Sequence, residues 1–108
     1  MNFLAKLFSK NKISTQGESF STYLGGDGLT EFKPVFINCA SNSMASSLIE
    51  RFISEKHGEK NIDWVENMSM SLSSNITECG LVKCLTISSQ NNSYTYYFDL
   101  SRPMKNPI

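Results

Sequence analysis

Residues 81–100, LVKCLTISSQNNSYTYYFDL, contain the pattern that decides the fold. Apolar and polar side chains alternate on both sides of residues 89–93, a segment of Ser, Gln and Asn. Alternation with a period of two is typical of a strand with one buried face, and Ser and Asn are favoured in turns. The pattern therefore predicts an antiparallel hairpin of two strands, residues 81–88 and 94–100. One side of the second strand contains Tyr94, Tyr96, Phe98 and Leu100, and the other contains Thr95, Tyr97 and Asp99.

Residues 62–74, just before this hairpin, show the same period. The apolar residues of one parity are Ile62, Trp64, Met68, Met70 and Leu72. Glu66 interrupts that parity, which predicts a bulge or an exposed strand end. The segment is therefore predicted to be a third strand with one buried face.

Residues 43–57 switch to helical periodicity. The apolar residues Met44, Leu48, Ile49, Phe52 and Ile53 recur on one face of a helix with 3.6 residues per turn. Ser41, Asn42 and Ser43 are candidates for the N-cap, and Gly58 follows the last turn as glycine does after many helices. The segment is predicted to be the main helix.

The first forty residues have weaker patterns. Residues 32–40 predict a strand, with Pro34 at its start or on a sheet edge because proline cannot donate to a ladder. Residues 20–24 fit a short strand or a turn of helix, and the glycines of residues 25–28 indicate a loop. Residues 2–9 predict a short amphipathic helix that docks on the core, since two turns bury too little apolar area for stable membrane binding alone. Its apolar residues are Phe3, Leu4, Leu7 and Phe8.

The order of elements predicts an α+β fold. We expect one main helix, about residues 43–57, packed on an antiparallel sheet of four or five strands, with a short N-terminal helix. A chain of 108 residues has the size of one domain, and 40% hydrophobic residues can form a core. We therefore predict a single domain over residues 1–108.

Composition excludes several classes of protein. The ten basic and ten acidic residues balance, whereas a general nucleic-acid-binding protein is usually basic. Lys6 interrupts the apolar N-terminus, so it does not resemble a signal peptide, and no apolar stretch reaches membrane-spanning length. Three cysteines are an odd number for a disulfide framework. We expect a cytoplasmic protein with reduced thiols and no membrane or nucleic-acid partner.

Three kinds of functional site can be compared with the residues present: a zinc site, a nucleophilic catalytic site and a phosphate-binding loop. A structural zinc site has four ligands, and the chain offers four candidates: Cys39, His57, Cys79 and Cys84. Their spacing is not that of zinc-binding pairs. His57 with one of these thiols would suit nucleophilic catalysis, yet a histidine before Gly58 is more typical of a helix C-terminus. The glycines of residues 25–28 match neither phosphate-binding motif. We expect no enzymatic activity, no metal and no cofactor.

The last feature that could indicate a function is a set of acidic and aromatic residues. Residues 13–32 contain acidic residues but no Lys or Arg, and further acidic residues lie at the start of one strand and the end of another. A negative patch steers association with a basic protein. The predicted partner-binding residues are Asp99, Tyr97, Asp63, Glu66, Asp27 and Glu31. Tyr97 and Asp99 are the first choice, because a rigid strand loses less entropy on binding than a loop does.

The small size, the α+β build and the absence of a catalytic motif resemble the immunity proteins of bacterial toxin systems, including contact-dependent growth inhibition. The resemblance implies a cytoplasmic protein that neutralises one cognate toxin, often a nuclease, by covering its active site or a neighbouring surface. The zero net charge departs from it, since a basic nuclease favours a more acidic inhibitor. The alternatives are an accessory or chaperone-like subunit of a secretion system, or a small enzyme that uses His57 and a cysteine.

Overall fold

A computed structural model describes residues 22–105 and contains one helix and five strands in this part of the chain. The strands are β1 (Tyr23–Gly25), β2 (Val35–Ile37), β3 (Trp64–Ser73), β4 (Leu81–Ser89) and β5 (Asn92–Asp99); the helix is α1 (Asn42–His57), and a 3₁₀ turn spans Pro103–Lys105. The strands form one sheet in the order β1-β2-β5-β4-β3. The predicted α+β class is confirmed, and the predicted helix over residues 2–9 lies outside the described residues.

The sheet is mixed, so the prediction of a purely antiparallel sheet is wrong at one pair. Val35 of β2 lies opposite Phe98 of β5 in parallel, while the other neighbouring strands are antiparallel. Between these two strands the chain passes through α1 and the β3–β4 pair. A strand that reaches its neighbour after such a crossover can pair in parallel, which a hairpin cannot do.

The main helix has the predicted bounds to within one residue. It begins after Ser41, whose hydroxyl accepts a hydrogen bond from the backbone N–H of Met44 at 3.5 Å. It ends at Gly58, which has a φ of +108°. A Cβ on Gly58 would lie 2.3 Å from Oδ2 of Asp63, so both the conformation and the space require glycine.

The hydrophobic core lies between α1 and one face of the sheet. The helix contributes Ala45, Ile49 and Ile53, which are spaced four residues apart. The sheet side includes Val35, Ile37, Trp64, Leu85, Ile87, Tyr96 and Phe98. Leu48 and Phe52 pack against this cluster and are partly buried. Met44 was expected in the buried stripe, but 51% of it is exposed because Ala45 occupies that position against the sheet.

The predicted hairpin is confirmed as β4 and β5, with a shorter turn than expected. Only Gln90 and Asn91 connect the strands, and both have positive φ, +50° and +67°. Two-residue hairpin turns favour such conformations because their twist matches that of the strands. Tyr96 and Phe98 face α1 and are buried, as the alternating pattern predicts.

Strand β3 changes face in its middle. The register with β4 shifts between Glu66 and Met68, which is the predicted bulge. Trp64 lies on the α1 side, but Met68 and Met70 lie on the other side, where they are 50% and 44% exposed. The prediction of one buried face is therefore wrong beyond the bulge. Ile62, which shared that parity, lies before the strand and is 73% exposed.

Candidate binding surface

The face of the sheet that points away from α1, here called the open face, carries a row of side chains that are apolar except for one. The register places its residues side by side across all five strands: Leu72, Val82, Asp99, Phe36 and Leu24. Val82 is fully buried in this row, whereas Leu24 is 43% exposed. Asp99 is the one charged residue in the row.

The loop of residues 26–34 is fixed against β5 at the edge of this face. The backbone N–H of Tyr97 donates to the carbonyl of Gly28 at 2.8 Å, and Gly28 donates to the carbonyl of Lys33 at 2.8 Å. A Cβ on Gly26 would lie 2.2 Å from the Lys33 carbonyl oxygen, so the two arms of the loop approach too closely for any other residue. These contacts position the tip of the loop beside the open face.

A groove of about 560 Å³ lies between this loop, the first strands and the loop after β3. Its lining includes Leu24, Phe32, Lys33, Phe36, Ile76 and Asp99. A neighbouring depression shares Phe32 and Ile76 and adds Glu31. Phe32 is 75% exposed and Ile76 is 50% exposed. Large exposed apolar side chains that cluster beside polar ones mark protein-binding surfaces.

Tyr97 lies on the open face, two residues before Asp99, which lines the groove. Burial raises the pKa of its hydroxyl, and the neighbouring Cys84 and Glu31 raise that pKa further. We call the set Leu24, Glu31, Phe32, Phe36, Ile76, Tyr97 and Asp99 the Phe32 surface.

Asp99 also has a structural role. Its Oδ1 accepts hydrogen bonds from the backbone N–H of Ser101 at 2.9 Å and from the Ser101 hydroxyl at 2.5 Å. Ser101 is buried, so this carboxylate orders the turn that follows β5. Exchanging Asp99 for lysine would alter the turn and the surface charge together. Asparagine keeps an oxygen acceptor at this position and removes only the charge.

Two of the predicted partner-binding residues lie away from the Phe32 surface. Asp63 belongs to the connection between α1 and β3, where its Oδ2 accepts a hydrogen bond from the backbone N–H of Glu59 at 2.7 Å. Glu66 lies on the α1 side of β3 and lines a small cleft with Lys60 and Lys83. The structure therefore does not bring either carboxylate to the open face.

The other four predicted residues share one region. Tyr97, Asp99 and Glu31 belong to the Phe32 surface, and Asp27 lies in the same loop as Glu31. Asp27 is exposed, and its Oδ1 accepts from the backbone N–H of Leu29 at 3.0 Å. Their role in binding a partner stays a prediction.

The apolar members of this surface were not predicted. The predicted strand over residues 32–40 is shorter in the structure, Val35–Ile37, so Phe36 lies in it and Phe32 lies in the loop before Pro34. Ile76 had a detectable signal, because it is a lone large apolar residue in the polar segment of residues 73–78. An isolated apolar side chain in a loop either packs on the core or is exposed, where it can contact a binding partner.

The cysteines and the histidine do not form a common site. Cys84 lies on the open face, while the Nε2 of His57 is 2.6 Å from the hydroxyl oxygen of Tyr96 on the α1 side. Cys39 and Cys84 are buried, and all three thiols are free. Within residues 22–105, no three side chains of His, Cys, Asp or Glu come together as metal ligands.

The burial of His57 predicts a pH-dependent stability. Burial lowers the pKa of His57, and the charge of Lys56 lowers it further. The unfolded state then binds a proton more tightly than the folded state, so the free energy of unfolding should fall as the pH drops below about 6.5. Urea unfolding of the wild type and of His57→Gln, followed by fluorescence of the single Trp64 at several pH values, measures this difference. A stability difference between the two proteins that is constant with pH would contradict it.

Comparisons of the chain with protein-family models, with curated proteins and with solved structures gave no match. Among residues 22–105, no helix is both long and apolar enough to cross a membrane. The interpretation of function therefore depends on the surface itself.

Proposed function

We propose that this protein is a non-catalytic immunity protein that neutralises a cognate bacterial toxin in the cytoplasm by binding it through the Phe32 surface. The observation that carries the proposal is the cluster of exposed apolar side chains around acidic groups on the open face. Phe32, Ile76 and Leu24 are 75%, 50% and 43% exposed, respectively. The resemblance to immunity proteins, including those of contact-dependent growth inhibition, agrees with such a surface.

The apolar groups of this surface supply the binding energy in the proposal. Aromatic side chains in the middle of an interface commonly dominate its affinity, because a partner can fully remove them from water. Phe32 projects from a loop that hydrogen bonds fix against β5, and Phe36 lies in the neighbouring strand. A surface ordered before binding loses less conformational entropy when the partner docks.

The charges of this region favour a basic partner. Asp27, Glu31 and Asp99 lie in or beside the Phe32 surface, and Lys33 is the basic residue that lines the groove. A nuclease toxin needs basic groups to bind the phosphate backbone of its substrate. Its attraction to the carboxylates would increase the association rate, and salt would reduce this effect.

Co-expression with the toxic domain encoded beside its gene tests the proposal. The double variant Glu31→Gln with Phe32→Ala should weaken binding by at least about tenfold and reduce protection of bacterial growth. The matched control, Met44→Ala with Glu55→Gln, makes the same kinds of change on exposed positions of α1. It should bind and protect as the wild type does. Asp99→Asn should slow association at low salt more than at high salt.

Three results would contradict this proposal in different ways. A wild-type protein that neither binds the toxin nor protects growth would exclude the immunity function. Loss of binding in the α1 control, but not in the Phe32 surface variant, would move the interface to the helix. Binding without protection would favour the accessory or chaperone-like function instead.

A further inference from the structure

Strand β3 is an outermost strand of the sheet within residues 22–105. In this part of the chain it pairs with β4 only, apart from an isolated parallel bridge between Trp64 and Lys60 at its beginning. It is ten residues long, whereas the other outermost strand, β1, has three. A long edge presents backbone N–H and C=O groups to any further strand. Natural proteins usually protect such an edge with charged residues, proline or a bulge.

The protection of β3 is confined to its beginning. Glu66 and the register shift after it disrupt the first part of the edge. Residues 67–73 that follow, NMSMSLS, contain no charged residue and no proline. Seven neutral residues in an extended conformation can therefore pair with another neutral strand without charge repulsion.

The two faces of this neutral segment differ. Met68, Met70 and Leu72 lie on the open face, where both methionines are about half exposed. Ser69, Ser71 and Ser73 lie on the α1 side. Because antiparallel pairing about a two-fold axis normal to the sheet keeps the faces aligned, a second copy would present methionines to methionines and serines to serines.

One register satisfies this symmetry best. With Met70 opposite Met70 of a second copy, Met68 lies opposite Leu72 of that copy. The alternation of polar and apolar residues over 67–73 is then the same in both directions. Centring the pair on Ser69 would place Leu72 opposite Glu66 by position, and centring it on Ser71 would place Met68 opposite Ser74. Only the register centred on Met70 gives every apolar residue of the row an apolar neighbour.

We propose that two copies of this chain pair through β3 in antiparallel orientation, with Met70 at the two-fold axis, and thereby join their five-stranded sheets. The strand pair and one apolar row form a small interface, so the dimer dissociates on dilution. The β3 edge and the Phe32 surface involve different residues, so the proposal goes beyond the toxin-binding function and does not depend on it.

Charge variants of the full chain test this pairing by analytical ultracentrifugation over a series of concentrations. Met70→Lys and Met70→Glu each place two like charges together at the axis, so each should raise the dimer dissociation constant by at least about tenfold. An equal mixture of the two variants should recover dimers, because opposite charges then meet. The matched controls, Met44→Lys and Met44→Glu on α1, should dimerise as the wild type does.

Hydrogen exchange identifies the edge directly. Backbone amides within residues 67–73 should become more protected as the wild-type concentration rises, and Met70→Lys should abolish that increase. A wild-type protein that remains monomeric at the highest soluble concentration would overturn the proposal. So would dimers that Met70→Lys leaves intact, a mixture that recovers none, or protection of these amides that does not depend on concentration.

Discussion

Phe98→Ala is expected to lower the free energy of unfolding by about 3–5 kcal/mol. Phe98 is fully buried in β5, where the sheet faces α1, and its ring centroid is 5.6 Å from that of Phe52 in an edge-to-face arrangement. Removing the ring loses its transfer free energy and leaves a cavity between two elements that can relax only partly. The loss is a large share of the 5–15 kcal/mol that typical domains possess. Urea unfolding followed by Trp64 fluorescence measures it.

Phe32→Ala is the matched control for Phe98→Ala. The same side chain is removed from a position that is 75% exposed, so the unfolding free energy should change by less than about 0.5 kcal/mol. Equal effects of the two substitutions would mean that Phe32 is covered within the folded chain. That result would also remove the apolar centre of the proposed toxin-binding surface.

The helix and the hairpin could be predicted from the sequence because their signals are local. In α1, the caps Ser41 and Gly58 lie beside the residues that they cap. The apolar spacing from Met44 to Ile53 repeats over about three turns. In the hairpin, the alternation in β4 and β5 meets across a turn of two residues, Gln90 and Asn91. When the residues that define an element are close in sequence, their spacing appears as a periodic pattern of apolar and polar residues.

The faces of β3 could not be predicted completely from parity. Glu66 showed that the alternation fails, but parity alone does not tell whether the strand resumes on the same face or on the opposite one. A bulge inserts one residue and reverses every later side chain, so Met68, Met70 and Leu72 lie opposite the core. The same reversal creates the exposed row on which the proposed β3 pairing depends.

The parallel pair and the Phe32 surface depend on contacts between distant parts of the chain. Val35 and Phe98 are far apart in sequence, with α1, β3 and β4 between them. They become neighbours because the chain returns to β2 after these elements. The alternation correctly predicted that Tyr97 and Asp99 lie on the opposite side of the last strand from the core. The loop that contains Glu31 is hydrogen-bonded to the backbone of Tyr97 through Gly28. No local pattern relates Phe32 to Ile76, because each lies in a loop whose position is set by tertiary contacts.

Substitutions of Trp64 should separate packing from hydrogen bonding where α1 meets β3. Trp64 is buried, and its Nε1 donates to the Gly58 carbonyl at 3.0 Å and to the Ser54 hydroxyl at 3.2 Å. Trp64→Ala removes the ring and both bonds, so it should cost about 3–5 kcal/mol of unfolding free energy. Trp64→Phe keeps most of the ring and loses the N–H donor, so its cost should be smaller, about 1–3 kcal/mol.

Ser54→Ala distinguishes the two acceptors of the indole N–H. It removes the longer hydrogen bond and leaves the one to the carbonyl of Gly58, so its cost should be less than about 1 kcal/mol. Far-ultraviolet circular dichroism during urea unfolding measures all three variants, because those at position 64 lack the only tryptophan. If Ser54→Ala cost as much as Trp64→Phe, the bond to Ser54 would carry the stabilisation. In the expected order, Trp64 holds the end of α1 through the backbone of Gly58, whose positive φ already requires glycine at that position.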